Sequence, residues 1–249
     1  MRICGFLIFI ALLISCNDTK YKADQVKAEN FKINQDISSA DTIKTIIKPY
    51  KAKIQQEMNR KLCYSTKSMY KTDFDLNTPI GNFMADALLS RSNLVLKEKH
   101  QKQIDAALLN YGGIRAGINK GDVSVRTAYN IMPFENEVVV AKLSSSAVKE
   151  MIAYLVKAKK AHPIAGIQIK LDKKGNLSSA TINDQPIQKG ETYFIATSDY
   201  LFNGGDDMSF FSKADKSYSL DYKLRNLFID YLDDIDTLNV KHDNRFIQE

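Results

Sequence analysis

Three short stretches carry side chains suited to holding a small polar ligand. They are Asn110-Tyr111-Gly112-Gly113-Ile114-Arg115, Pro133-Phe134, and Asp199-Tyr200-Leu201-Phe202-Asn203-Gly204-Gly205-Asp206. The Arg115 guanidinium and the backbone freed at Gly112 and Gly113 suit a phosphate. Phe134 and Tyr200 offer two separated ring faces for a base, and an Asn and an Asp serve hydroxyls. Each piece also has a plainer reading: the rings as core aromatics, Gly204-Gly205 as a tight turn and Gly112-Gly113 as a strand exit. A two-metal phosphate-ester hydrolase needs a cluster of His, Asp and Asn ligands, whereas this chain has three His, at His100, His162 and His242, far apart in sequence and expected at the surface or in loops. No Ser-His-Asp order or Cys-His pair offers another reaction centre. The residues read as a recognition cleft, with no catalytic residue and no metal set in this chain.

The elements that must position these residues follow from periodicity. Ile43, Ile46, Ile47, Tyr50, Ile54 and Met58 recur every three or four residues, the face of a helix with Pro49 inside it, so the folded part is expected to begin near Asp41. Thr78-Pro79 is an N-cap and first-position pair, opening a helix whose core stripe is Ile80, Phe83, Met84, Ala87 and Leu88. Strands are expected at Ala106–Tyr111, Val138–Leu143, Gly166–Leu171 and Thr192–Thr197, and helices at Ser146–Lys159 and Leu220–Leu232. Strands and helices interleave without a regular βαβ count, which predicts an α+β fold: a mixed sheet with packed helices.

The N-terminus reads as a targeting segment. Arg2 precedes the apolar run Phe6–Ile14, too short for a mature membrane span, and Leu13-Ile14-Ser15-Cys16 resembles a bacterial lipobox. The expected organisation is a lipoprotein signal peptide over 1–15, an acylated Cys16 and a polar tether over 16–40, followed by a domain over 41–249. That makes the protein a membrane-anchored lipoprotein of the cell envelope, on its periplasmic or surface side. The alternative is an ordinary signal peptide with an incidental Cys. Removing 1–15 takes one Arg and no acid, lowering the formal charge from +6 to +5. Residues 20–71 hold twelve Lys or Arg against five acids, a solvated face or a segment resting on anionic lipid. Basic residues alternate with apolar ones at helical spacing and no nucleic-acid motif is present, so nucleic acid is not an expected partner. Cys63 has no internal disulfide partner once Cys4 is removed and Cys16 blocked, and is expected to be a buried free thiol.

Taken in order, Thr78-Pro79-Ile80-Gly81-Asn82 with Asp86, Asn110 to Arg115, Gly121 to Val123, Pro133-Phe134, Gly166, Asn203 to Asp206 and Arg245-Phe246-Ile247 resemble the C-terminal domain of 5′-nucleotidases. The resemblance covers roughly residues 41 to 249. In that family this domain binds the nucleoside of the substrate and swings it toward an N-terminal metallophosphatase domain with two metal ions. The resemblance implies that Phe134 and Tyr200, where a Phe is common, sandwich the base. It implies further that Asn110 contacts the base, Arg115 the phosphate, Asp206 the ribose hydroxyls, and that Gly166 lies near the base edge. Gly112, Gly113 and Asn203 complete the implied contact set. A second phosphate-contacting Arg of the family is Leu76 here and the acid after it is Asn77, which weakens the expectation of tight phosphate binding. The family's Asp-x-His and Gly-Asn-His-Glu motifs are absent from the sequence. Two expectations of different class result. One is the substrate-binding half of a split 5′-nucleotidase, with the divalent metals in a separately encoded metallophosphatase. The other is a non-enzymatic lipoprotein that binds nucleosides or nucleotides. A scaffold that binds nothing is the plain third.

Overall fold

In the computed structural model, which describes residues 25–34 and 36–249, the helix signal at Thr78 behaves as its chemistry requires. Thr78 has extended backbone (φ −133°, ψ 151°), its hydroxyl accepts the Gly81 N–H at 3.2 Å, and Pro79 begins a helix that runs to His100. The core stripe Ile80, Phe83, Met84, Ala87 and Leu88 is buried. The fold is α+β. Its helices among the described residues are α1 (Asp41–Met58), α2 (Pro79–His100), α3 (Val125–Ile131), α4 (Ser145–Ala158), α5 (Asp199–Phe202) and α6 (Leu224–Asp233).

Among the described residues three sheets accompany them, each mixing parallel and antiparallel pairs. The largest has the order β10-β4-β9-β2-β5, formed by Lys216–Lys223, Glu137–Ser144, Thr192–Ser198, Ala106–Leu108 and Ile164–Ala165. A four-stranded sheet pairs β12 (Phe246–Gln248), β6 (Ile167–Leu171), β7 (Leu177–Ile182) and β8 (Gln185–Pro186). A three-stranded one pairs β11 (Thr237–Leu238), β1 (Lys61–Ser65) and β3 (Gly121–Ser124).

Topology explains why three stretches distant in sequence meet. β2 runs parallel to β9, so Asn110 and Asp199, which follow these strands, leave the large sheet at the same end. β4 is antiparallel to β9 with Val138 opposite Ser198, so its beginning, just after Phe134, lies at that end as well. β10 is antiparallel to β4 with Lys223 opposite Glu137, which brings Leu224 there too.

Several expectations are corrected by the structure. The strand expected over 106–111 stops at Leu108, because the chain turns into a 3-10 segment, Tyr111–Gly113, that carries the glycine pair. The helix expected from Leu220 begins at Leu224. Leu220 and Tyr218 instead face the core from β10, an alternating strand interrupted by a bulge, with Asp221 in the left-handed region (φ 53°). Gly166 is not part of a strand; it joins β5 to β6.

The chain divides at Lys48/Pro49 into two units, the larger being Pro49–Glu249. Helix α1 forms where its periodicity predicts, but Ile43, Ile46, Ile47, Tyr50 and Ile54 are exposed. Within the larger unit, the described core is joined at its start by the partly buried Met58 and by Leu62 and Cys63 of β1. Cys63 is buried and free, as expected, and burial pushes its thiol up to about 11. The signal segment 1–15 and Cys16 lie outside the described residues.

Candidate functional site

At the shared end of the large sheet lies a cleft of about 360 Å³, lined among others by Asn110, Gly112, Gly113, Arg115, Phe134, Tyr200 and Asp206. Seven of the nine residues expected to contact a ligand therefore border one cavity. Asn203 borders a shallower hollow beside it, sharing Asn136 and Tyr200 with the cleft, and its amide donates to the Asp199 carbonyl at 2.8 Å. Gly166 is not in this cleft. It lines a separate hollow with Asp86, Asp184, Asp243 and Arg245. The backbone requires glycine there: φ is +71°, and a Cβ would stand 2.3 Å from the Asp105 carbonyl oxygen.

Asp206 is the best-held group of the cleft. Its Oδ2 accepts from Asn110 Nδ2 at 2.8 Å and its Oδ1 from the Tyr200 hydroxyl at 2.9 Å. The bond to Asp206 also raises the Tyr200 phenol above its usual range. Asp206 itself occupies the left-handed region (φ 52°, ψ 33°), a conformation a non-glycine residue keeps only when its surroundings over-determine it. The glycines serve these contacts as much as any ligand. A Cβ on Gly113 would lie 2.6 Å from Asn110 Oδ1, and one on Gly205 2.5 Å from the Tyr200 ring.

The rings are exposed for aromatics, Phe134 at 41% and Tyr200 at 48%, which argues against an ordinary core role. The Arg115 guanidinium lies 5.8 Å from the Phe134 ring centroid, while the Arg115 N–H is fixed on the Ile131 carbonyl at 2.9 Å. Phe134 is held from behind by Arg225. That nearly buried side chain donates to the Phe134 carbonyl at 3.2 Å, pairs with Glu135 and stacks 4.1 Å from the Tyr129 ring.

Several lining residues escaped sequence reading: Leu109, Met132, Asn136, Ser198 and Leu224. Asn136 had a usable signal, a polar residue two positions after Phe134 and just before a buried strand. Asn77, which stands where the family places an acid, is buried and structural; its amide bonds the carbonyls of Asp243 and Phe246 at 2.9 and 3.0 Å.

His162 has the expected loop position and is also buried. Its Nδ1 accepts the Tyr111 N–H at 3.2 Å. Burial lowers its imidazole to about 4. The unfolded chain then takes up this proton near pH 6.5 and the folded chain only near 4, so the associated stability is full above 6.5 and lost as pH falls toward 4. From the size of the shift the loss is on the order of 2 to 3 kcal/mol. Denaturant unfolding between pH 7 and 4 should show the wild type losing this much more stability than His162→Asn, which cannot titrate.

Among the described residues no group of three or more His, Cys, Asp or Glu is placed to hold a metal ion.

An α+β domain with an aromatic, amide, carboxylate and guanidinium cleft at one sheet end is the class that fold and site define. The sequence profile of the 5′-nucleotidase C-terminal domain matches residues 55–213, and the chain belongs to that family. It is 32% identical over 169 residues to the trifunctional nucleotide phosphoesterase protein YfkN of Bacillus subtilis, a match covering 62% of this chain and 11% of that one. It is 25% identical over 190 residues to the Escherichia coli protein UshA, covering 72% and 32%. Its fold matches a 5′-nucleotidase precursor from Thermus thermophilus at a TM-score of 0.69 and 20% identity, covering 83% of this chain and 43% of that one. A putative 5′-nucleotidase from Staphylococcus aureus matches at 0.64 and 17%, covering 90% and 45%. In each case the chain spans less than half of the relative's length.

Proposed function

We propose that this chain recognises a nucleoside or nucleotide and is the substrate-binding half of a split 5′-nucleotidase whose phosphatase centre belongs to a separate chain. The observation that carries the reading is the convergence of Asn110, Arg115, Phe134, Tyr200 and Asp206 on one cleft. Such a set binds by stacking, charge-assisted hydrogen bonds and a fixed carboxylate. Membership in the family and relatives named as nucleotidases and phosphoesterases point to the ligand class. The metals of the complete enzyme are assigned to the partner.

The test is calorimetry on the full chain with adenine, adenosine and AMP. Arg115→Ala should weaken AMP and leave adenosine nearly unchanged, because its charge-assisted bond is to phosphate. Asp206→Ala should weaken adenosine and spare adenine. A wild type that binds none of the three would remove the recognition reading. Metal-dependent phosphate release from AMP by the homogeneous chain alone would remove the split.

The tether belongs to the same proposal, with Cys16 acylated and the domain held at a membrane of the cell envelope. No helix of the described residues is long and apolar enough to cross a membrane. Recovery of the wild type unacylated in the soluble fraction would remove the tether.

A further inference from the structure

Two side chains outside the cleft touch both of its polar halves. Tyr154, on α4, donates its hydroxyl to the Asp206 carbonyl at 2.8 Å. His162 accepts the Tyr111 N–H through Nδ1. The two rings pack on each other with centroids 5.7 Å apart, and Tyr154 also meets the Phe210 ring edge-on at 5.7 Å. Thus one aromatic pair fixes the Gly205–Asp207 turn that presents Asp206 and the Tyr111–Gly113 turn beside Asn110, whose Nδ2 bonds Asp206.

We propose that Tyr154 and His162 are positioning residues, a clasp that holds Asp206 and the Tyr111–Gly113 turn in register and thereby sets the affinity of the cleft for ribosides over free bases. The proposal rests on the recognition reading above. Three observations carry it. Asp206 and Asp207 both have positive φ, 52° and 58°, so the turn needs external support to persist. The side-chain bonds to Asp206 come from Asn110 and Tyr200, on two different segments, and fix the carboxylate only while those segments keep their separation. The Tyr154 hydroxyl grips the backbone at the same residue. On the other side, a neutral imidazole accepting at Nδ1 carries its proton on Nε2, and burial keeps that form in place at neutral pH. A site built to meet a diol gains affinity only if its carboxylate is already aimed.

The experiment uses the full chain with Tyr154→Phe, which removes one hydroxyl, His162→Ala, which removes the acceptor, and His162→Asn, whose side-chain oxygen can replace Nδ1. Amide hydrogen exchange without ligand reads the clasp itself. Losing one hydrogen bond should speed exchange at Met208, whose N–H is bonded to the Gly205 carbonyl at 3.2 Å, in Tyr154→Phe, and at Tyr111 in His162→Ala, by roughly threefold to tenfold, with protection at Tyr111 returning in His162→Asn. Calorimetry reads the consequence. Tyr154→Phe should weaken adenosine by a similar factor, leave adenine within about twofold, and add nothing in an Asp206→Ala background, as expected of two residues acting through one contact. Unchanged exchange in folded variants overturns the clasp, and changed exchange with wild-type discrimination between adenosine and adenine overturns its role in affinity. If the wild type protects both amides yet binds no nucleoside, the recognition reading fails and the affinity role falls with it, while the clasp stands.

Discussion

Alanine at Phe134 or Tyr200 is expected to weaken adenosine binding by roughly fivefold to a hundredfold, since a stacked base gains about 1 to 3 kcal/mol from an aromatic ring. Both rings line the cleft and both are exposed in the free protein, so truncation removes contact area without opening a core cavity. Thermal stability should change little at Phe134. At Tyr200 the truncation also removes the hydroxyl that bonds Asp206, so Tyr200→Phe separates the two contributions: stacking survives and only the hold on the carboxylate is lost. Calorimetry with adenosine, paired with circular dichroism, is the measurement. Folded Phe134→Ala and Tyr200→Ala proteins that bind as the wild type does would place the ligand elsewhere.

Arg245→Met is expected to cost about 3 to 4 kcal/mol of folding stability. Arg245 is 15% exposed and reaches both oxygens of Asp86, at 2.8 and 3.1 Å, both oxygens of Asp243, and the Ile164 carbonyl at 2.7 Å. Deleting one partner of a buried ion pair leaves the others without their counter-charge, a loss usually of about 3 to 5 kcal/mol. The low end applies because Asp86 and Asp243 each keep 43% of their side chains in contact with water. The arrangement joins the start of α2 to the chain entering β12, far apart in sequence, so the loss should appear in global unfolding. Equilibrium denaturation of the variant measures it, and a change below about 1 kcal/mol would mean that solvent already screens the group.

Local chemistry was legible where it depends on neighbours in the chain. Thr78-Pro79 caps and starts a helix whichever fold surrounds it, because the hydroxyl and the fixed φ act within one turn. Alternation and apolar runs likewise placed β4, β6 and β9 to within a residue or two. The aromatic, amide and acid residues of the cleft were legible as chemistry because their types are unusual beside glycine pairs. What adjacency does not encode was missed. Gly166 stands beside a strand in sequence like a loop glycine, yet it is required by a carbonyl of another segment and faces another hollow. The stripe on α1 predicts a helix correctly, while exposure depends on what lies opposite it.

The sequence by itself determined the α+β class, the family, the buried thiol of Cys63 and most residues that border the cleft, since each follows from periodicity, from composition or from the resemblance of its motifs to the family. Only the tertiary structure decided that Asp206 is held in the left-handed region by Asn110, Tyr200 and Tyr154, and that His162 is buried and neutral beneath the Tyr111 turn. These contacts link residues up to 96 positions apart. The physical reason is that hydrogen bonding and desolvation depend on separation in space, and strand pairing, not proximity along the chain, brings the ends of β2, β4 and β9 together.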